Sequence, residues 1–188
     1  MKIQKIIKSL KHYNRTIAAI ATILLAILGV SVFIFSEEDN GISAAAKELS
    51  ELSGNIRRYY QARPDYWGLN TQMVIDKKIY PAQMLKNGKL VGFMGNAVLV
   101  GSGIEGTMLM PGARNFDVVY KGLSSKQCVG LGSHKFEQKF WLGVSGVSIL
   151  SDNQETLFNW DDENNRLPIS IAQAKKSCGN NSIIIWHF

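Results

Sequence analysis

The sequence predicts an α+β protein in which helices come first and strands follow. An uncharged apolar run covers residues 16–35, and a stripe of apolar residues at helical spacing comes after it. From about residue 88 the chain changes to short apolar runs separated by glycines. These observations predict a long N-terminal helix in two parts, the first in a membrane and the second packed on a globular body that contains strands.

The first part is the run TIAAIATILLAILGVSVFIF, at residues 16–35. Twenty residues of α-helix span the hydrocarbon layer of a bilayer. A secretory signal would have a shorter apolar region followed by small residues, whereas this run ends in bulky VFIF and is followed by SEE. We therefore expect a retained transmembrane helix over residues 16–36. The alternative is a buried soluble helix, although such helices usually carry polar positions.

The charge distribution predicts the orientation of this helix. The formal net charge is +6, and the leader at residues 1–15 contains five basic side chains, with no acidic residue before Glu37. Basic flanks of a membrane helix remain in the cytoplasm. We therefore expect a single-pass inner-membrane protein with a cytoplasmic N-terminus and an exported domain over residues 37–188. The high net charge then reflects topology, and nucleic acid is not an expected partner.

The second part of the helix is amphipathic. Apolar residues recur every three or four positions between residues 37 and 63, and Pro64 disfavours helix at the residue before it. The charged residues of this segment fill much of the other face. The sequence predicts that one stripe packs inward on the body, formed by Leu49, Leu52, Ile56 and Tyr60.

The remainder of the chain predicts a second helix, several strands and two short helical segments. The run LNTQMVIDKKIYPAQML suggests a shorter helix interrupted near Pro81. Strands are predicted in NAVLVGS, FDVVYKGL, FWLGVSGVSIL and SIIIWHF because they are rich in β-branched and aromatic residues. Short helical segments are predicted in LSSKQCVGL and PISIAQAKKSC, beside the two cysteines.

Cys128 and Cys178 are the only cysteines of the chain. Disulfides persist in exported proteins, and two cysteines allow only one intramolecular pairing. The alternative is a pair of free thiols, which an oxidising compartment disfavours. We expect the disulfide.

The sequence contains no arrangement of residues that indicates catalysis. His134 and His187 have no second metal ligand at a recognised spacing, and GVSGV lacks the final glycine of a nucleophile elbow. GSGIEG at residues 101–106 fits a glycine loop between strands better than dinucleotide binding, because Pro111 and Gly112 follow soon after it. WDDEN at residues 160–164 is expected to be a solvated loop, with a calcium site as the alternative. We expect no enzymatic activity, cofactor or metal.

The order of these features resembles the type IVb pilins, in particular those of thin pili. The segments that match are LSELSGNIRRYY, LNTQMVIDKKIYPAQML, FDVVYKGLSSKQCVGL, PISIAQAKKSC and the terminal IIIWHF. The resemblance implies a long N-terminal helix packed on an antiparallel sheet. It also implies that Cys128 and Cys178 bracket an exposed region, residues 128–178, and that the C-terminal run is a strand of the sheet.

The resemblance implies a structural subunit, major or minor, of a type IVb pilus or related fibre that mediates adhesion or cell–cell contact. The expected partners are the lipid bilayer, other pilin subunits, the pilus assembly machinery and a surface receptor. Helix packing in a fibre would favour small residues in the membrane segment. Five such residues are present: Ala18, Ala19, Ala21, Ala26 and Gly29.

The membrane segment departs from the pilin pattern. Pilins typically have a glutamate five residues into the mature chain, following a glycine or alanine at the processing site. Here residues 1–36 contain no acidic residue, and Ile34 stands five residues after Gly29. We therefore expect that the chain does not form long homopolymers by itself. The alternative function is a membrane-anchored accessory protein that does not polymerise.

Overall fold

The computed structural model describes residues 41–102 and 112–188, which belong to one compact unit. The expected leader at residues 1–15 and the expected transmembrane helix at residues 16–36 lie outside the described residues. The first described element, α1, covers residues 41–60. It ends three residues before the expected boundary at residue 63, in a turn where Arg63 N donates to Tyr60 O.

The segment after α1 is less helical than its sequence predicts. Helix α2 (Thr71–Asp76) begins at Asn70, whose side chain accepts a hydrogen bond from Met73 N. It ends early because Lys78 has a positive φ of 54°, which right-handed helix does not allow. A 3₁₀ turn (Ala82–Met84) follows Pro81, so the predicted second helix is present but stops at Asp76, before Pro81 is reached.

A small hairpin leads into the main sheet. Strands β1 (Leu85–Lys86) and β2 (Lys89–Leu90) pair antiparallel across a two-residue turn. Asn87 and Gly88 form the turn with φ values of 51° and 72°. Positive φ at both positions is the requirement of a type I′ hairpin, which Asn-Gly satisfies well.

The main sheet has five antiparallel strands in the order β3-β4-β7-β5-β6. The C-terminal strand β7 therefore lies in the middle, between β4 and β5. This confirms the predicted antiparallel sheet and the predicted C-terminal strand. The strand bounds are β3 (Ala97–Gly101), β4 (Asp117–Leu123), β5 (Gly146–Ser151), β6 (Gln154–Asn159) and β7 (Ser182–His187).

Three short helices connect the strands. Helices α3 (Ser125–Gly132) and α5 (Ile171–Ser177) each begin with a capping box, formed by Ser124 with Gln127 and by Ser170 with Gln173. Helix α4 (Gln138–Trp141) covers the start of the run FWLGVSGVSIL. The prediction that this whole run is a strand was wrong for its first residues, because β5 begins only at Gly146.

One hydrophobic core joins α1, α3 and one face of the sheet. The α1 residues Leu49, Leu52 and Ile56 are fully buried. They belong to the same buried cluster as Tyr120 of β4 and Trp186 of β7, whose rings meet edge to face with centroids 5.5 Å apart. Aromatic residues extend this core through Tyr60, Tyr66, Phe116, Phe188 and Phe140.

Candidate functional site

The disulfide predicted from the sequence is present between Cys128 and Cys178. Cys128 lies in α3, and Cys178 is the C-cap of α5. The Cα atoms are 5.7 Å apart, and Ser125 Oγ donates a hydrogen bond to Cys178 O nearby. The bond therefore fixes α5, and the start of the connection to the central strand β7, to the helix that follows β4.

More of the region between the cysteines is buried in the folded body than the resemblance implies. It contains α4, β5 and β6, and β5 pairs with the central strand β7. Val147, Ser148 and Ile149 of β5 are at most 1% exposed. The description of residues 128–178 as an exposed region is therefore wrong for β5, because this strand supplies core side chains.

The predicted stripe on α1 faces the interior. Leu49, Leu52 and Ile56 are 0% exposed, and Tyr60 is 4% exposed. The Tyr60 hydroxyl donates to Trp67 O at 3.3 Å, which ties the end of α1 to the following loop. Glu48 of the same helix is also buried, and its carboxylate accepts a hydrogen bond from Phe93 N at 2.7 Å. Burial raises the pKa of Glu48 above its ordinary value.

A groove of about 880 Å³ runs between the outer face of α1 and residues 134–140. Its charged lining consists of five basic side chains and two acidic ones, a net charge of +3 with histidine neutral. Phe136 and Phe140 supply apolar surface in the same groove. The charged residues of the lining are Lys47, Arg57, Arg58, Lys135, Lys139, Glu51 and Glu137.

Arg57 connects this groove to the turn after α4. Its Cζ atom lies 5.2 Å from the centroid of the Phe188 ring, a cation–π arrangement. The guanidinium also lies against Gly143, where an added Cβ would collide with Nη1. Within residues 41–102 and 112–188 no carboxylate forms an ion pair with it. Burial without an anion lowers the pKa of Arg57.

Asp117, His187 and Ser148 form a polar network across three strands of the sheet. His187 Nδ1 lies 2.8 Å from Asp117 Oδ1, and His187 Nε2 lies 3.0 Å from Ser148 Oγ. The carboxylate favours the tautomer with a proton on Nδ1, which leaves Nε2 to accept from the Ser148 hydroxyl. The order of the three groups is that of a serine-hydrolase triad.

The position of Ser148 argues against nucleophilic chemistry. The residue is 1% exposed and lies within β5, which pairs with β6 on one side and β7 on the other. A substrate carbonyl cannot approach its Oγ, and a strand paired on both sides offers no free pair of backbone N–H groups as an oxyanion hole. We assign the network a structural role, in which it ties β4, β7 and β5 together.

Some of the predicted sites lie outside the part of the chain that the structure describes. The membrane residues Ala18, Ala19, Ala21, Ala26 and Gly29 lie outside the described residues, as does most of the GSGIEG loop. Among residues 41–102 and 112–188, none of the helices has the length and hydrophobicity that a bilayer crossing requires.

The WDDEN segment forms a turn at the end of β6. Asn159 Oδ1 accepts hydrogen bonds from Asp161 N and Asp162 N, at 3.0 and 2.8 Å. Asp162 Oδ1 in turn accepts from Asn164 N at 2.8 Å and Asn165 N at 3.1 Å, and these bonds lower the pKa of Asp162. In the described part of the chain, no cluster of three or more histidine, cysteine or acidic side chains is arranged to hold a metal ion.

Comparisons with known proteins agree on one family and one fold. A family model described as Bundlin matches residues 36–183. The crystal structure of a type IV b pilin from Salmonella typhi superposes with a TM-score of 0.52 at 12% identity, covering 77% of this chain and 97% of that one. TcpA, a type IV pilin from the Vibrio cholerae El Tor biotype, superposes with a TM-score of 0.53 at 13% identity, covering 79% of this chain and 99% of that one. No curated protein matches the sequence.

Proposed function

Because the chain belongs to the bundlin family of type IVb pilins, we propose that it serves adhesion or cell–cell contact as a subunit of a type IVb pilus or related surface fibre. The family and the fold are those of structural subunits of pili. We propose three further points: what the fibre does for the cell, where this subunit lies in it, and that it binds a surface receptor.

The packing of α1 is the observation that supports this function best. Residues 41–60 begin five residues after the predicted membrane segment, at residues 16–36, and bury Leu49, Leu52 and Ile56 in the core of the body. A helix anchored in this way can transmit force between a membrane or fibre core and the globular part. The Cys128–Cys178 bond adds a covalent link within that part.

We place the N-terminus in the cytoplasm, residues 16–36 in the inner membrane, and residues 37–188 in the periplasm or on the surface of a fibre. The basic leader supports this orientation, since positive flanks remain inside. The small residues of the membrane segment, among them Ala18 and Gly29, support close packing against another pilin helix. The assembly machinery and a surface receptor are the other proposed partners.

A second candidate is a membrane-anchored accessory protein that presents the same body without polymerising. One observation favours it, the absence of any acidic residue in residues 1–36. A buried charge in a membrane segment is tolerated when a partner supplies the opposite charge. A pilin glutamate would have such a partner in a neighbouring subunit, whereas this segment has no charge to be paired.

The test is deletion and complementation in the host. Cells without the chain are compared with cells that carry the wild type, Leu52→Asp or Glu51→Ala. Two quantities are measured in each: the amount of surface fibre released by shearing and the frequency of cell–cell contact. Leu52 is buried and Glu51 is exposed on the same helix, so the first variant should fail and the second should complement. Loss of contact with fibres that lack the chain supports the accessory protein. Deletion that changes neither fibres nor contact contradicts both candidates.

A further inference from the structure

The turn between β2 and β3, at residues 92–95, has a glycine at each end, and we call it the flap. Gly95 has a φ of 83°, in the left-handed region that favours glycine. A Cβ at Gly92 would lie 2.9 Å from Cε1 of Tyr120, so a larger residue would press on this buried ring. Gly95 N donates to Gly92 O at 2.9 Å, and Phe93 near the tip of the flap is 56% exposed. The flap is therefore a short segment whose two ends depend on glycine.

Two side chains hold the flap to the rest of the body. The carboxylate of Glu48, on α1, accepts a hydrogen bond from Phe93 N at 2.7 Å. Asn96, the residue after the flap, accepts from Gly92 N at its backbone oxygen and donates from Nδ2 to Gly122 O, both at 2.9 Å. Asn96 therefore fixes the base of the flap to β4, whereas Glu48 fixes its tip to α1.

Two buried polar atoms beside the flap lack a hydrogen-bond partner within residues 41–102 and 112–188. They are the hydroxyl of Tyr120, a residue that is 0% exposed, and Oδ1 of Asn96. A buried polar group without a partner is less stable than the same group in contact with water. Because the Tyr120 ring lies against Gly92, movement of the flap would admit water to this hydroxyl. Closure of the flap therefore carries a cost that opening relieves.

Glu48 adds a second cost of closure, and this one depends on pH. The side chain is 2% exposed, and burial raises the pKa of its carboxyl group. The backbone hydrogen bond, the Lys86 ammonium on β1 and the Gln83 side chain lower this pKa, while the Glu51 carboxylate raises it. Tyr120 of β4 also interacts with Glu48, and burial raises the pKa of its phenol, which stays neutral. The charged form of Glu48 is therefore disfavoured while the flap is closed.

We propose that residues 92–95 form a pH-dependent flap: protonated Glu48 holds it closed, and ionisation of this carboxyl group raises the population of an open form. In the open form the carboxylate and the Tyr120 hydroxyl reach water, and Phe93 leaves its fixed position. The closed flap binds the proton more tightly, so the contribution of the proton to closure is complete below the ordinary pKa of glutamate. That contribution is lost as pH rises through the raised pKa of the closed form.

The flap would make one part of the protein surface respond to the pH of the surroundings. Phe93 is a large exposed apolar side chain, and the hydrogen bonds of the closed flap fix its position. The inference uses the proposed function only in placing residues 37–188 outside the cytoplasm, where the pH of the medium reaches Glu48. Opening itself needs neither a fibre nor residues 1–36.

The test measures amide hydrogen exchange by mass spectrometry in the full-length chain, purified in mild detergent. Exchange is followed at about pH 4 and about pH 7, and each rate is corrected for the pH dependence of exchange in an unfolded peptide. Corrected exchange of the peptide that covers residues 92–95 should be roughly threefold or more faster at the higher pH, since one pKa unit corresponds to a tenfold change. A peptide of α1 that covers Leu52 and Ile56 reports global unfolding and should stay slow at both pH values.

Three variants assign the effect to particular groups. Glu48→Gln keeps an acceptor for Phe93 N but cannot ionise, so corrected exchange of the flap should be equal at the two pH values. Glu51→Gln is the matched control, because it removes an exposed carboxylate from the same helix, and it should keep the wild-type pH dependence. Tyr120→Phe removes the hydroxyl that lacks a partner, so exchange of the flap should slow roughly fivefold or more at both pH values.

Flap exchange that rises with pH in the wild type and in Glu51→Gln, but not in Glu48→Gln, supports the inference. The same pH dependence in Glu48→Gln as in the wild type overturns it, and so does wild-type exchange that does not change with pH. Equal exchange rates for the flap and the α1 peptide also overturn it, because the opening would then be global unfolding. If Glu48→Gln does not fold, Tyr120→Phe decides, and flap exchange as fast as in the wild type contradicts the flap. None of these results touches the deletion phenotype on which the proposed function depends.

Discussion

Cys128 of α3 is bonded to Cys178 at the end of α5, with their Cα atoms 5.7 Å apart. Their sequence separation of 50 residues includes β5, so the bond encloses a strand of the core. Closing a loop of this length restricts the unfolded chain by about 4 kcal/mol in the chain-entropy view. Cys178→Ser should therefore lower the free energy of unfolding by about 2–5 kcal/mol, measured by urea titration. Two alkylatable thiols in the native wild type would contradict the bond itself.

Leu52 tests the packing of α1. Its side chain is 0% exposed, whereas Glu51 beside it is exposed. Leu52→Ala should cost about 2–5 kcal/mol of unfolding free energy, because the substitution removes buried methyl groups and leaves a cavity. Glu51→Ala should stay within about 0.5 kcal/mol of the wild type. Equal effects of the two variants in urea titrations would place α1 outside the core.

Gly143 and Arg57 should behave as a coupled pair. A methyl group at residue 143 would collide with the guanidinium that lies over Phe188. Gly143→Ala should therefore cost only about 0.5–1 kcal/mol, because the guanidinium is the mobile end of a long side chain and can move aside, at the loss of its cation–π contact with Phe188. The cost should fall in an Arg57→Ala background, since the obstructing group is gone. A double-mutant cycle measures the coupling, and strict additivity of the two substitutions would show that they do not touch.

Glu48 should make the stability of the body depend on pH. Its side chain is 2% exposed, and burial raises its pKa in the folded state. The folded state therefore binds the proton more tightly, so this contribution is present below the unfolded-state pKa and is lost as pH rises through the folded-state pKa. Relative to the wild type, Glu48→Gln should gain stability between about pH 4 and pH 7. Urea titrations at pH 4 and at pH 7 measure this gain. A difference in unfolding free energy between the two proteins that is the same at both pH values would contradict the raised pKa of Glu48.

Much of the fold follows from local patterns in the sequence. The stripe of Leu49, Leu52 and Ile56 has helical spacing, and β3, β4 and β7 are rich in β-branched and aromatic residues. Strand β6, QETLFN, was missed because it is an edge strand in which four of the six residues are polar and three are exposed. We predicted a strand at Phe140 and Trp141 because aromatic residues favour strands. In the structure these two residues lie in the short helix α4, before β5 begins.

The candidate surfaces were harder to predict than the fold. The Asp117–His187–Ser148 network joins residues 70 and 39 positions apart, and only the strand order brings them together. The groove likewise depends on the packing of residues 134–140 beside α1. The disulfide was predictable because two cysteines allow a single pairing, and no knowledge of geometry was needed.

The most direct measurement compares the intact mass of the chain in inner membranes with its abundance and N-terminus in sheared surface fibres, in cells that carry the host assembly machinery. We predict a mass in the membrane fraction that shows the basic leader at residues 1–15 still attached. In the sheared fraction we predict either none of the chain or a small share among other pilins. Abundant sheared filaments composed mainly of this subunit, with a mature N-terminus between residues 16 and 30, would contradict the prediction. That result would make the chain a major pilin whose membrane helix assembles without the usual glutamate.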